Sequence, residues 1–285
     1  MRAWPSMSDA PVSVVLGGVR AALKWHRGRR RRSDPAFDPT RLREAMAAGA
    51  SVEIDLNPMA DGGFAVLHDP TLDRETTGTG PVAHADAALL GQLRRRTEDG
   101  AVTTEPVDTL GELVRDLASR AVGAGALLQL DLKCGDGDLT PDHIAGFAIE
   151  VAPLRAHLIL SGGDVAAVRR LAQGAGIATG YDPCHEGAHL VQARAGHFGG
   201  FADGALEAMP EARFIYLDLR LIAAADGVGV NIVAPFRAAG KSVDAYTVTA
   251  AEPAQVAAAR RAIALGADQI TTDDPEGLQR ALASP

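Results

Sequence analysis

Apolar positions along this chain follow two alternating rhythms. Short runs rich in leucine or β-branched residues, bounded by Gly, Asp or Pro, alternate with stretches whose apolar residues recur at helical spacing. The short runs predict strands over 23–25, 51–56, 127–132, 157–161, 177–181, 214–219, 243–248 and 269–272. The longer stretches predict helices over 40–48, 109–119, 164–173, 231–239 and 253–265. Thr40 and Asp164 stand where N-caps belong, and Gly49, Gly240 and Gly266 stand where helices should stop.

Strands that alternate with helices imply right-handed crossovers and a parallel sheet. An open doubly wound sheet usually carries fewer strands than these runs supply. The expected fold is therefore α/β, a single-domain (β/α)8 TIM barrel over 12–285, with 1–11 a segment expected to lack fixed structure. The polar or glycine-rich stretches 78–85 and 97–104 read as loops.

Length agrees, since 285 residues accommodate one closed barrel of about 250. Hydrophobic residues at 47% and charged residues at 22% describe a globular protein with a substantial core. No stretch approaches the roughly 20 apolar residues of a membrane span, and Gly17, Gly18 and Arg20 interrupt 12–23, which is not read as a signal peptide. Cys134 and Cys184 are the only cysteines. Two unrelated thiols suggest a reducing, cytoplasmic setting, with a disulfide between them the lesser alternative. A formal net charge of −8 argues against general nucleic-acid binding. Two basic clusters stand out locally, Arg27 with Arg29, Arg30, Arg31 and Arg32, and Arg94 to Arg96. The second reads as solvated surface. The first reads as a mobile, solvated loop or as an attractor for a polyanion or a membrane surface.

The chemistry concentrates at strand ends. Glu53 and Asp55 lie two apart on a predicted strand, so both side chains project to one face. Asp131 and Lys133 repeat that spacing after a strongly apolar run. Three carboxylates at two strand ends make an oxygen-rich site suited to a hard divalent cation, Mg²⁺ or Ca²⁺. No Cys/His cluster has zinc spacing. His26 and His68 flank the acidic strand, each at the end of an extended run, and a histidine pair can serve as acid and base across one bond. His84, His143, His157, His185, His189 and His197 read as ordinary polar loop residues.

The string His26-Arg27-Gly28, Glu53-Ile54-Asp55 within 49–56, and Asp61 through Arg74 with His68-Asp69-Pro70 at its centre resembles the glycerophosphodiester phosphodiesterase family. Residues 76–80, Thr109-Leu110, 245–248 and 266–275 extend the likeness over nearly the whole chain from Leu23. The resemblance implies a barrel enzyme of lipid and glycerol metabolism that releases glycerol 3-phosphate from a glycerophosphodiester. His26 and His68 would be its acid and base, and Glu53, Asp55 and Asp131 its metal ligands. Arg27, Lys133 and Tyr246 would bind the small-molecule phosphodiester or lysolipid substrate.

Four departures from the family pattern are visible. Phe37-Asp38-Pro39-Thr40 replaces the usual Pro-Glu-Asn-Thr, leaving Thr40 as the capping residue; arginines fill 29–32 where small residues are usual; Asp131 replaces Glu; and Tyr246 replaces Trp. The Asp-Leu-Lys element is also similar to sphingomyelinase D-like phospholipases, which implies a cyclic phosphate product as the alternative. A non-catalytic ligand-binding barrel is a third reading, which the retention of both histidines and all three carboxylates opposes.

Overall fold

A computed structural model describes residues 10–187 and 198–284. Among these residues, eight parallel strands close into a barrel: β1 (Val19–Trp25), β2 (Ser51–Pro58), β3 (Leu127–Leu132), β4 (Leu158–Gly162), β5 (Ala178–Tyr181), β6 (Phe214–Asp218), β7 (Ser242–Val248) and β8 (Gln269–Thr272). Each pairs with its sequence neighbours, and β8 returns to β1 to close the ring. Every predicted strand is present. The eight helices that follow them are α1 (Pro39–Ala48), α2 (Leu110–Ala118), α3 (Pro141–Val151), α4 (Val165–Ala175), α5 (Phe201–Ala208), α6 (Leu219–Gly227), α7 (Pro253–Ala264) and α8 (Pro275–Ala283).

Strand alternation sets two environments. Val52, Ile54 and Leu56 of β2 and Leu128, Leu130 and Leu132 of β3 are fully or nearly fully buried in the large apolar cluster that also takes in Leu42 and Met46 of α1 and Leu113 and Leu117 of α2. Each such side chain stabilises the fold by about 1.5–3 kcal/mol relative to exposure. The alternate residues, including Glu53, Asp55, Gln129 and Asp131, belong to the polar barrel interior and its C-terminal mouth, where loops of this fold carry chemistry.

Several local features differ from expectation. The interrupted segment 12–23 is a hairpin, in which Ser13–Leu16 pairs antiparallel with β1 across Gly17-Gly18. The polar stretch 97–104 is partly strand, because Val102–Pro106 pairs with Arg94–Arg96. Helix α1 is capped by Asp38, whose carboxylate accepts from the Thr40 backbone N–H at 2.8 Å, with Pro39 in the first turn. Thr40 is thus a recipient of the cap and not its source. Gly49 ends that helix at φ 80°, where a Cβ would lie 2.6 Å from the Ala124 carbonyl oxygen. The helix expected over 231–239 shortens to Ala234–Ala238, with the Asn231 side chain accepting from the N–H groups of Val233 and Ala234. Helices α3, α5, α6 and α8 escaped the sequence reading. Of the segment 1–11, residues 1–9 lie outside the described residues, and the Pro11 carbonyl accepts from the Trp25 indole N–H at 3.1 Å. Both cysteines are free thiols.

Candidate active site

The loop leaving β1 turns sharply at His26-Arg27-Gly28. Arg27 and Gly28 adopt left-handed φ of 53° and 70°, and a Cβ at Gly28 would lie 2.5 Å from the Leu42 side chain. This turn aims the Arg27 N–H at Glu53, which accepts through Oε2 at 2.9 Å. It also places His26 with Nδ1 2.7 Å from Asp273 and Nε2 3.8 Å from Glu53 Oε2.

His68 lies on the loop after β2. Its ring Nδ1 is 2.8 Å from Asp69 Oδ1, and Arg74 holds both oxygens of that carboxylate at 2.5 and 2.6 Å. The Arg74 hydrogen bonds, with that of His68, lower the Asp69 carboxyl to about 2 despite partial burial. Glu75 accepts from the backbone N–H groups of both His68 and Asp69, at 3.0 and 2.7 Å, and so anchors the loop. Each histidine is therefore oriented through Nδ1 by a carboxylate, which leaves Nε2 for other work.

The three carboxylates come from β2 and β3. Asp55 and Asp131 are directly opposed across β2 and β3, and one ligand oxygen from each of Glu53, Asp55 and Asp131 falls within 4.8 Å of the others. Lys133 donates to Asp131 and to Asp55, the latter at 2.8 Å, and Arg27 Nε lies 3.2 Å from Asp55 Oδ2. Burial and the neighbouring Asp55 raise the Glu53 carboxyl well above its ordinary range. Burial acts on Asp55 too, but Lys133 and Arg27 outweigh it and hold Asp55 below that range. Burial lowers the Lys133 ammonium, yet Asp131 and Asp55 prevail and push it up. Three carboxylates thus share the site with two cations, Arg27 and Lys133.

A hard cation fits that donor set. All donors are oxygens, Glu53 is held back from ionising, and the buried Asp55 Oδ2 accepts no hydrogen bond. His26, Arg27, Glu53, His68, Asp131, Lys133 and Tyr246 line one cavity, and Asp55 contacts its Arg27 and Lys133 walls. All eight residues singled out by sequence thus meet in one place.

Four residues at or behind this cavity were missed. Asp182 accepts from the Tyr246 hydroxyl at 2.9 Å, and burial together with Asp131 raises its carboxyl to about 7. Lys24 and Gln129 form part of the cavity wall, and Asp273 orients His26. The one available signal was a polar residue at an inward position of an otherwise apolar strand, or just beyond a strand end.

Within the arginine run, Arg29 and Arg30 are buried and ion-paired and not solvated. Arg29, only 3% exposed, bonds Asp273 at 2.8 Å and Glu98 at 2.5 Å. Arg30, 6% exposed, bonds Glu44 and, at 3.0 Å, Glu276. Arg31 grips Glu276 through two nitrogens at 2.9 and 3.0 Å, and Arg32 is exposed. The run clamps the first loop onto the start of α8. Arg95 likewise departs from the solvated-surface reading: it is buried, and bonds the Val66 carbonyl at 3.1 Å and Asp108 at 3.2 Å. Of the remaining histidines, His143 is buried against the Met59 carbonyl, while His189 and His197 lie outside the described residues.

The family model described as Glycerophosphoryl diester phosphodiesterase family matches residues 40–133, a span holding Glu53, Asp55, His68, Asp131 and Lys133. Over those residues the chain is similar to this family. Solved structures repeat the fold. A glycerophosphodiester phosphodiesterase from Agrobacterium tumefaciens str. C58 aligns at 22% identity and TM-score 0.65, over 91% of this chain and 99% of its own. An Oleispira antarctica phosphodiesterase in complex with the product sn-glycerol-3-phosphate aligns at 23% and 0.63, over 92% and 96%. A glycerophosphoryl diester phosphodiesterase from Parabacteroides distasonis ATCC 8503 aligns at 19% and 0.62, over 98% and 92%. No curated protein matches the chain. Among the described residues no helix is long and apolar enough to cross a membrane.

Proposed function

We propose that this chain hydrolyses a glycerophosphodiester to glycerol 3-phosphate and an alcohol, using His26 and His68 as the acid–base pair. The observation that carries this reading is the meeting of two carboxylate-oriented histidines with three clustered carboxylates and two cations in one cavity. The product-bound Oleispira antarctica relative supports the choice of substrate.

Arg27 and Lys133 would hold the phosphodiester, Arg27 through its planar fork and Lys133 as a compact charge. Glu53, Asp55 and Asp131 would hold a divalent cation, Mg²⁺ or Ca²⁺. When bound there, such an ion supplies positive charge to the phosphoryl oxygens. Asp273 accepts the Nδ1 proton of His26, which leaves Nε2 able to take a proton from the attacking water. His68, oriented through Nδ1 by Asp69, would give a proton to the leaving alkoxide. Tyr246, fixed by Asp182, would border the alcohol.

The test is an assay of glycerophosphodiesters, lysophospholipids and sphingomyelin with and without divalent metal, with products resolved by phosphorus NMR. Metal-dependent release of glycerol 3-phosphate is the expected result. A cyclic phosphate in its place, or turnover of the sphingolipid alone, overturns the reading.

A further inference from the structure

Beneath the carboxylate cluster a buried polar chain crosses the barrel interior. Lys24, on β1 and only 2% exposed, donates to the Gln129 carbonyl. Gln129 on β3 donates through Nε2 to Ser161 Oγ at 2.8 Å, and Ser161 on β4 donates to Asp131 Oδ1 at 2.8 Å. Asp131 and Ser161 are paired across β3 and β4, so the backbone register itself brings the hydroxyl to the carboxylate. The far end is equally fixed: Lys24 Nζ lies 3.1 Å from Asp244, whose other oxygen accepts from Thr271 at 2.6 Å, and 4.3 Å from the centre of the Tyr216 ring.

The direction of every hydrogen in this chain is forced. An ammonium can only donate, so it turns the Gln129 carbonyl toward itself and the amide N–H₂ toward Ser161. The serine hydroxyl, receiving that bond, sends its single proton to the carboxylate. Aligned bonds of this kind polarise one another in a low-dielectric interior. With Oδ1 tied to Ser161 and Oδ2 to Lys133, Asp131 has one orientation.

An aspartate carboxylate has a short reach, so its use as a ligand depends on its being aimed. We propose that Ser161, at the end of the chain from Lys24 through Gln129, is a positioning residue that aims Asp131 into the divalent-cation site. This rests on the reading of Glu53, Asp55 and Asp131 as metal ligands. Hydrogen-bond partners standing behind a ligand commonly contribute about 10–100-fold to metal affinity.

The experiment is isothermal titration of the full-length protein with Mg²⁺ and with Ca²⁺, together with thermal unfolding of each variant without metal. Ser161→Ala is expected to weaken the cation affinity about 10–100-fold, beyond anything its metal-free stability explains. Ser161→Cys, close in volume but a weak donor, tests the same bond if the alanine variant fails to fold, and is expected to lose affinity as well. Ser161→Thr, which keeps the hydroxyl, should bind as the unaltered protein does. Unchanged affinity in a folded Ser161→Ala or Ser161→Cys overturns the positioning role alone. Failure of the unaltered protein to bind either cation overturns the ligand assignment and the positioning role with it.

Discussion

His26 and His68 are placed by the same device, a carboxylate on Nδ1 and a cavity at the other side of the ring. They differ in what stands behind the carboxylate, a buried Arg29 for Asp273 and a more exposed Arg74 for Asp69. Replacing either histidine by alanine is expected to lower kcat on a glycerophosphodiester by roughly 10²–10⁴-fold, read in a steady-state assay at saturating metal. Wild-type rates in both variants would remove them from the reaction. Glu53 and Asp55 are legible in sequence because their spacing of two puts both on one face of a strand. Asp273 and Asp182 are not, since a single carboxylate just past a strand end looks the same whether it orients a histidine or meets solvent. Arg29 and Arg30 misled for a related reason: a run of like charge suggests repulsion and solvation, and its acidic partners Asp273 and Glu276 come from the far end of the chain.

At the level of single elements, α1 shows how a cap can be misread by two residues. Asp38→Ala removes the acceptor for the Thr40 N–H and is expected to cost about 0.5–2 kcal/mol, whereas Thr40→Ala should cost much less; urea unfolding of the two variants decides between them. Helix α3 carries a pH response. Burial raises the Glu150 carboxyl to about 7, and its Oε2 has no hydrogen-bond partner. The native protein therefore keeps this proton up to about pH 7, while the unfolded chain releases it near the ordinary value of about 4.3. Over that window the native state binds more protons, so its contribution makes stability fall as pH rises. Glu150→Gln is expected to flatten this part of the profile and to gain stability over the parent at pH 8, measured by denaturant unfolding at each pH. Helix α3 was itself missed, although Thr140 caps it and Phe147 and Val151 face the core, because Gly146 and the exposed Ile149 blur its periodicity.

For the molecule as a whole, the carboxylate cluster predicts a linkage between cation binding and stability. A cation bound only by the native state stabilises it by mass action, about 2.7 kcal/mol at one hundred times Kd. Chelation with EDTA is therefore expected to abolish phosphodiesterase activity and lower Tm, and added Mg²⁺ or Ca²⁺ to restore both. A Tm unmoved by metal at concentrations that support turnover would disconnect the cluster from the cation. The eight-stranded barrel itself was determined by sequence alone, because strand and helix periodicities are local and eight such alternations have one common closed solution. So was the pairing of two histidines with three carboxylates, which local spacing places at strand ends. What only the tertiary structure decided is how those groups are held. The clamp of Arg29 and Arg30, the Asp273 carboxylate on His26, and the chain from Lys24 to Asp131 join residues brought together by barrel closure and strand register. Contacts of that kind depend on distance in space, and no period along the chain encodes them.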